Sequence, residues 1–255
     1  MSAVDVGAGR APAHARPRRG AGAGYAVVGV LGELLITLGV LLLGFLAWQL
    51  WWTDVEGNAA QAEVVREMDF APPPAQPDAA GPLVAEPRHD EPPVIDAEPA
   101  VGTSFAQLIV PRWSGEPARP VSQGTSRAVL DTLGIGHYEG TAMPGGVGNF
   151  ALAGHRVTYG KPFNRVEELE VGDPVVVRTA DTWYVYRVTS TQVVLPRDVA
   201  VIAPVPDRPG EEPTERSITL TTCHPMYSAR ERYVVHGVLD HWAPVSSGTP
   251  AVLLG

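Results

Sequence analysis

Hydrophobic side chains are distributed along this chain in three different ways, and each predicts a different kind of structure. From Tyr25 to Trp52 they run almost unbroken: Glu33 is the one charge, and Leu34 to Trp52 has none. At 1.5 Å per residue, about 20 helical residues cross a hydrocarbon layer ~30 Å thick, which predicts a transmembrane helix over residues 25–52. Trp48, Trp51 and Trp52 at its far end suit an interfacial aromatic belt. A cleaved signal peptide would want a shorter apolar region, about 7–15 residues, with a small-residue cleavage site. In residues 53–100 large apolar groups are sparse, and Pro72-Pro73-Pro74, Pro92-Pro93 and scattered acids dominate. Such a segment buries too little to offset its ordering entropy and is predicted to be a disordered, extended spacer.

From residue 101 to residue 244 the pattern changes to short runs of period two, separated by Gly, Pro and acidic turns. Phe105 to Val110 opens the series, with Pro111 limiting it to an edge or end. Val129 to Gly134 is ambiguous and allows a short helix. Gly140 to Gly148 is a loop leading into the strand that starts at Asn149 and carries His155, and Asn164 to Leu169 is a helical turn. Pro174 to Arg178 and Trp183 to Pro196 are β-rich, the latter as one long strand or two short ones. After a Pro/Asp/Glu-rich stretch from Arg197 to Arg216 come strands Ser217 to His224 and Arg232 to Trp242. Many short strands with little helix predict an all-β fold, a closed or nearly closed barrel. Residues 245–255 form a C-terminal tail.

Charge then fixes orientation and excludes one class of partner. Arg10, Arg16, Arg18 and Arg19 lie in a basic tail, residues 1–24, while Asp54 and Glu56 follow the apolar run. The predicted topology therefore has the N-terminus cytoplasmic and the β-domain outside. The net charge of −9 argues against nucleic acid, which would need a basic face.

The candidate chemistry sits at strand ends. In Ser217 to His224, residues Ile218, Leu220 and Thr222 share one face, and Thr219, Thr221 and Cys223 share the other. Cys223 is the only cysteine in the chain; an exported thiol with no partner is a liability unless it is used. The short connection to the next strand predicts an antiparallel pair with Cys223 beside Arg232. Upstream, Phe150 and Leu152 face the core and His155 finishes the opposite face. A thiol, an imidazole and a guanidinium are a nucleophile, a proton carrier and an oxyanion clamp. Arg230, two residues before Arg232, is the competing clamp.

These residues resemble those of the sortases, cysteine transpeptidases of Gram-positive cell surfaces. Thr219-Leu220-Thr221-Thr222-Cys223 matches the family's TLxTC signature, Gly154-His155 looks like its histidine motif, and Arg232-Tyr233-Val234-Val235 like its arginine strand. The Thr-Cys-His-Pro ending and near absence of lysine look most like class E sortases of actinobacteria. The resemblance implies an eight-stranded closed β-barrel with short helices. It also implies cleavage of the Thr-Gly bond of an LPXTG- or LAXTG-type sorting signal through a Cys223 thioester. His155 would protonate the leaving amine and Arg232 would hold the oxyanion. The partners implied are surface proteins carrying the signal and an amine of the cell-wall peptidoglycan precursor. Tyr138, Thr221 and Thr222 are candidate substrate contacts.

No metal and no organic cofactor is implied. Cys223 and His224 point to opposite faces of a strand and cannot easily share a zinc ion. Glu167, Glu168, Glu170 and Asp173 resemble calcium-binding carboxylates of some class A sortases, but acids in one loop do not establish a coordination shell and are expected to form a solvated face. The rival readings are an exported L,D-transpeptidase, whose Ser-x-Gly-Cys-Arg signature Thr222-Cys223-His224 does not match, and a non-catalytic exported β-domain with a buried thiol.

Overall fold

The computed structural model describes residues 22–75 and 81–255, so the predicted basic tail lies almost wholly outside the described residues. The apolar run forms the first part of helix α1, Gly22–Glu67, and its large apolar side chains, Leu34, Ile36, Leu41 and Phe45 among them, are exposed. A helix of this length and composition, uncovered by protein, has what a membrane span needs.

The helix does not end where the apolar run ends. Residues 53–67 contain Ala, Gln, Glu and Val with no proline, so the helical ladder continues until the left-handed Asp69 (φ 48°), shortly before Pro72. This corrects the expected spacer at its start. A second correction follows at its end. Arg88 exchanges both backbone hydrogen bonds with Trp242 (2.8 and 3.0 Å), and the Trp242 indole and Tyr184 hydroxyl donate to the carbonyls of Asp90 (3.0 Å) and Pro93 (2.6 Å). Proline-rich backbone is pre-extended and leaves carbonyls unspent, so docking it costs little further entropy. Composition predicts disorder here, but the barrel's unpaired donors supply the partners.

The β-domain is a closed barrel of eight strands in the order β1-β2-β3-β4-β7-β8-β6-β5. The strands are β1 Ser104–Ile109, β2 Arg119–Gln123, β3 Ile135–His137, β4 Gly148–Ala153, β5 Pro174–Arg178, β6 Thr182–Val194, β7 Arg216–His224 and β8 Glu231–Pro244. Residues Trp183 to Pro196 thus resolve into one long strand. The sequence did not mark β2 and β3, which are short and carry no clear apolar alternation. Between them, α2 (Arg127–Leu133) is capped by Ser126, whose hydroxyl accepts from the Val129 amide.

Strand alternation sorts side chains between two layers. Tyr184, Tyr186 and Val188 of β6 enter the barrel core with Leu108, Phe150 and Leu220; Trp183 and Val185 join an outer cluster with Ala85, Ala243 and Val245. The C-terminal residues belong to that outer layer: Ala85 donates to Thr249 (2.9 Å), and Thr249 donates back to Leu83 (2.7 Å). Residues 245–255 are therefore packed, not a free tail.

Candidate active site

Three neighbouring strands bring the candidate residues into one row. β4 runs parallel to β7, with Ala153 paired to Thr221, and the Gly154 amide still donates to the Thr221 carbonyl (3.2 Å). β4 ends at Ala153, and His155 follows two residues later, where the next residue, Arg156, reaches the Cys223 carbonyl (3.5 Å) at the end of β7. β8 runs antiparallel to β7 and places Arg232 directly opposite Cys223. The row sits where the strands stop: β7 ends at His224, before Pro225. Glycine is needed at position 154, because a Cβ there would stand 2.8 Å from the Phe163 ring. Arg230 precedes β8 and has no partner in the β7 register.

Each member has its own surroundings. The His155 Nε2 lies 2.7 Å from the Asp131 carboxylate of α2, and its side chain is 25% exposed. Its ring also packs 5.1 Å, centroid to centroid, from Tyr159. Arg232 donates to the carbonyls of Ala229 (3.1 Å) and Glu231 (2.9 Å), which holds the β7–β8 turn against its own side chain. Cys223 is partly exposed, so the thiol is not sealed in the core.

Beside the row lies a cleft of about 210 Å³, walled by Val199, Val201 and Ile202 and including Tyr138, Thr221 and Arg232. Thr221 sends its own proton to the Leu152 carbonyl (3.1 Å), so the Tyr138 hydroxyl donates to Thr221 Oγ1 (3.0 Å). Two of the three expected substrate contacts therefore meet at the cleft. Thr222 does not: it is buried and donates to the Gly154 carbonyl (2.7 Å), tying β7 to the residue before His155. Its place on the other face of β7 rules out direct contact with the cleft.

The acids downstream are largely solvent-facing, Asp173 the least so, and each is paired with a basic side chain. Glu167 pairs with Arg156 and His224 (both 2.8 Å), Glu168 with Arg165 (2.7 Å), and Glu170 with Arg112 (3.0 Å), which also binds Asp173. The Arg156 hydrogen bond, with help from His224, holds the Glu167 carboxyl below the usual range. Their charges are spent on arginines instead of converging on a common point. A larger hollow of about 420 Å³, lined by Asp207, Glu211 and Glu212, lies under the loop between β6 and β7. Cys223 is not part of its lining.

Sequence reasoning missed two residues. Asp131 lay in a stretch with no assigned chemistry, and only a capped α2 next to β3 would have aimed it at His155. Arg156 follows the histidine, yet it is buried and donates to the carbonyls of Asn164 (3.1 Å) and Cys223 (3.5 Å). It binds together the backbone segments on either side of the row.

Comparison with known proteins identifies the family of the β-domain. Residues 108–240 match the family model described as the sortase domain. Sortase SrtE1 of Streptomyces coelicolor is 38% identical over 242 residues, covering 91% of this chain and 63% of that protein, so the chain spans under two thirds of that relative's length. The solved structure of SrtA sortase from Actinomyces oris superposes with a TM-score of 0.64 at 43% identity, covering 67% of this chain and 97% of that one. Sortase E1 from Streptomyces coelicolor, solved with a tripeptide in its active site, gives 0.55 at 42% identity, covering 60% and 97%.

Proposed function

The chain belongs to the sortase family, and from that premise we propose that it is a membrane-anchored cysteine transpeptidase of the class E type. The observation that supports the mechanism is Cys223 directly opposite Arg232 on β7 and β8, with His155 just past the end of the neighbouring β4. The Cys223 thiolate attacks the carbonyl carbon of the Thr-Gly bond in an LPXTG- or LAXTG-type sorting signal. Charge develops on the carbonyl oxygen, and the Arg232 guanidinium stabilises it. His155 gives its proton to the glycine nitrogen as the C–N bond breaks, leaving a thioester. An amine of a peptidoglycan precursor then attacks the thioester; His155 takes the amine's proton and the thiolate leaves. Asp131 orients the imidazole throughout, as the third group of such sites does.

The apolar walls of the cleft suit the small apolar side chains at the front of the signal, with the Tyr138 hydroxyl oxygen left to accept from its backbone. α1 holds the catalytic domain at the outer face of the cell membrane, with the N-terminus cytoplasmic. There the partners are surface proteins carrying the signal and the cell-wall amine. The test is to incubate the full chain in detergent micelles with LPXTG and LAXTG peptides and hydroxylamine. A hydroxamate at threonine is the expected product, since hydroxylamine diverts a thioester. Cleavage with no hydroxamate, or cleavage at another bond, would refute the thioester route.

A further inference from the structure

The part of α1 beyond its apolar run packs behind the catalytic histidine. Gln61 is 1% exposed although it lies in a segment whose composition predicts a spacer. Its side-chain amide is spent on both sides. Arg119 of β2 donates to Gln61 Oε1 (3.0 Å), and Gln61 Nε2 donates to the Tyr159 carbonyl (2.8 Å). Tyr159 is the residue whose ring stacks on His155. Gln61 also packs against Gly134, the C-cap of α2, where a Cβ would come within 2.8 Å of Gln61 Cδ. That short helix carries Asp131, the other neighbour of His155. Both supports of the imidazole therefore rest on one glutamine.

Neighbouring contacts act in the same direction. Tyr159, Gly160 and Lys161 are consecutive left-handed residues (φ 53°, 75° and 39°), a conformation that two side-chain-bearing residues hold only when their surroundings enforce it. The enforcement comes from α1. Lys161 pairs with Asp54 (2.8 Å), Asn58 accepts from Arg119 (2.6 Å), and Gly57 fits so closely that any Cβ would overlap the Tyr159 backbone.

We propose that Gln61 is a positioning residue for His155, and that the extramembrane end of the anchor helix sets the catalytic geometry as well as the location of the enzyme. This rests on the reading of His155 as the proton carrier. A loop carrying Tyr159 that shifts by about 1 Å would misplace the imidazole, and misplacements of that size cost up to ~10²-fold in rate. The effect should fall on kcat, because Gln61 is remote from the substrate cleft.

The experiment measures kcat and KM with the sorting-signal peptide for the full chain in detergent micelles. The variants are Gln61→Leu, Gln61→Glu, Asp131→Asn, the double variant Gln61→Leu with Asp131→Asn, and Cys223→Ala, each with its unfolding midpoint. Gln61→Glu fills the same space and still accepts from Arg119, but cannot donate to the Tyr159 carbonyl, so it separates positioning from folding. Both Gln61 variants should lose about tenfold in kcat with KM within about twofold. In the double variant, Gln61→Leu should add little to the loss from Asp131→Asn, because both act through the same ring. Unchanged kcat in Gln61→Glu, or losses that simply multiply in the double variant, would overturn the proposal while leaving the cysteine mechanism standing. Turnover retained by Cys223→Ala would instead overturn the mechanism on which the proposal rests.

Discussion

Two rows of polar side chains cross strands β4, β7 and β8 on the outer face of the barrel. One contains Thr219 and His236, directly opposite each other, with Asn149 on the diagonal from Thr219; the other contains Cys223 and Arg232, four residues further along β7, with His155 just past the end of β4. The first row is covered. Gln192 donates to His236 Nε2 (3.0 Å), the other ring nitrogen donates to Thr219 Oγ1 (2.9 Å), and Thr219 donates to Asn149 Oδ1 (2.8 Å). Asn149 in turn donates to the carbonyls of Val201 (3.3 Å) and Ala203 (3.0 Å), pinning the loop that walls the cleft. Every donor has an acceptor within the protein. The second group lies at the strand ends, and its imidazole is 25% exposed against 7% for His236. Similar side chains on one face thus differ in cover: the first group is bonded into a latch, and the second is left partly open.

Breaking the open row should have the largest effect. Cys223→Ala should abolish peptide cleavage and leave the unfolding transition nearly unchanged, because removing one partly exposed sulfur opens little cavity. Cys223→Ser should be almost as inactive, since a hydroxyl is a far weaker nucleophile. Activity remaining in purified Cys223→Ala would detach the row from the chemistry. Next comes the clamp. Arg232→Ala should cost about 10²–10³ in kcat, the usual loss for one oxyanion donor. Arg232→Lys should recover only part of it, because a compact ammonium lacks the guanidinium fork. Arg230→Ala should leave kcat close to wild type; a larger loss there would move the clamp off the β7 register.

In the covered row the damage should appear as lost stability. Thr219→Val keeps the shape but strands the His236 N–H and the Asn149 carbonyl, at about 1–3 kcal/mol. Urea unfolding should show that loss, while turnover at a temperature where the variant is folded stays near wild type. A fall in kcat without a fall in stability would mean that the two rows are not separable.

The smallest effect is on pH. Burial pushes the His236 imidazole below its ordinary range, opposed by the Asp207 carboxylate; the other groups facing it, Thr219 and Gln192, are neutral. The unfolded chain then binds a proton near pH 6.5 that the folded chain resists, so stability from His236 is complete above about pH 6.5 and is lost as pH falls through the folded value. The urea midpoint should drop as pH falls below about 6.5, and His236→Gln should flatten that slope. An equally steep slope in the variant would assign the acid sensitivity to other groups.

What the sequence determined was local or one strand away. Alternation marked β4, β7 and β8, a proline stopped β7, and a short connection put Cys223 opposite Arg232, because pleat and hairpin geometry leave almost no freedom. The uninterrupted apolar run marked the first part of α1 because a charge-free stretch of that length suits a helix long enough to cross a hydrocarbon layer. The tertiary structure decided what depends on cover and on distant partners. Thr222 belongs to the buried face of β7, the acids after Asn164 are spent on arginines, and the supposed spacer is partly helix and partly docked strand-like chain. Composition could not foresee this, since a proline-rich segment is disordered only until something offers donors to its carbonyls. Asp131 and Gln61 reach the histidine region from 24 and 94 residues away, a closeness set by barrel closure and helix docking and by no periodicity in the chain.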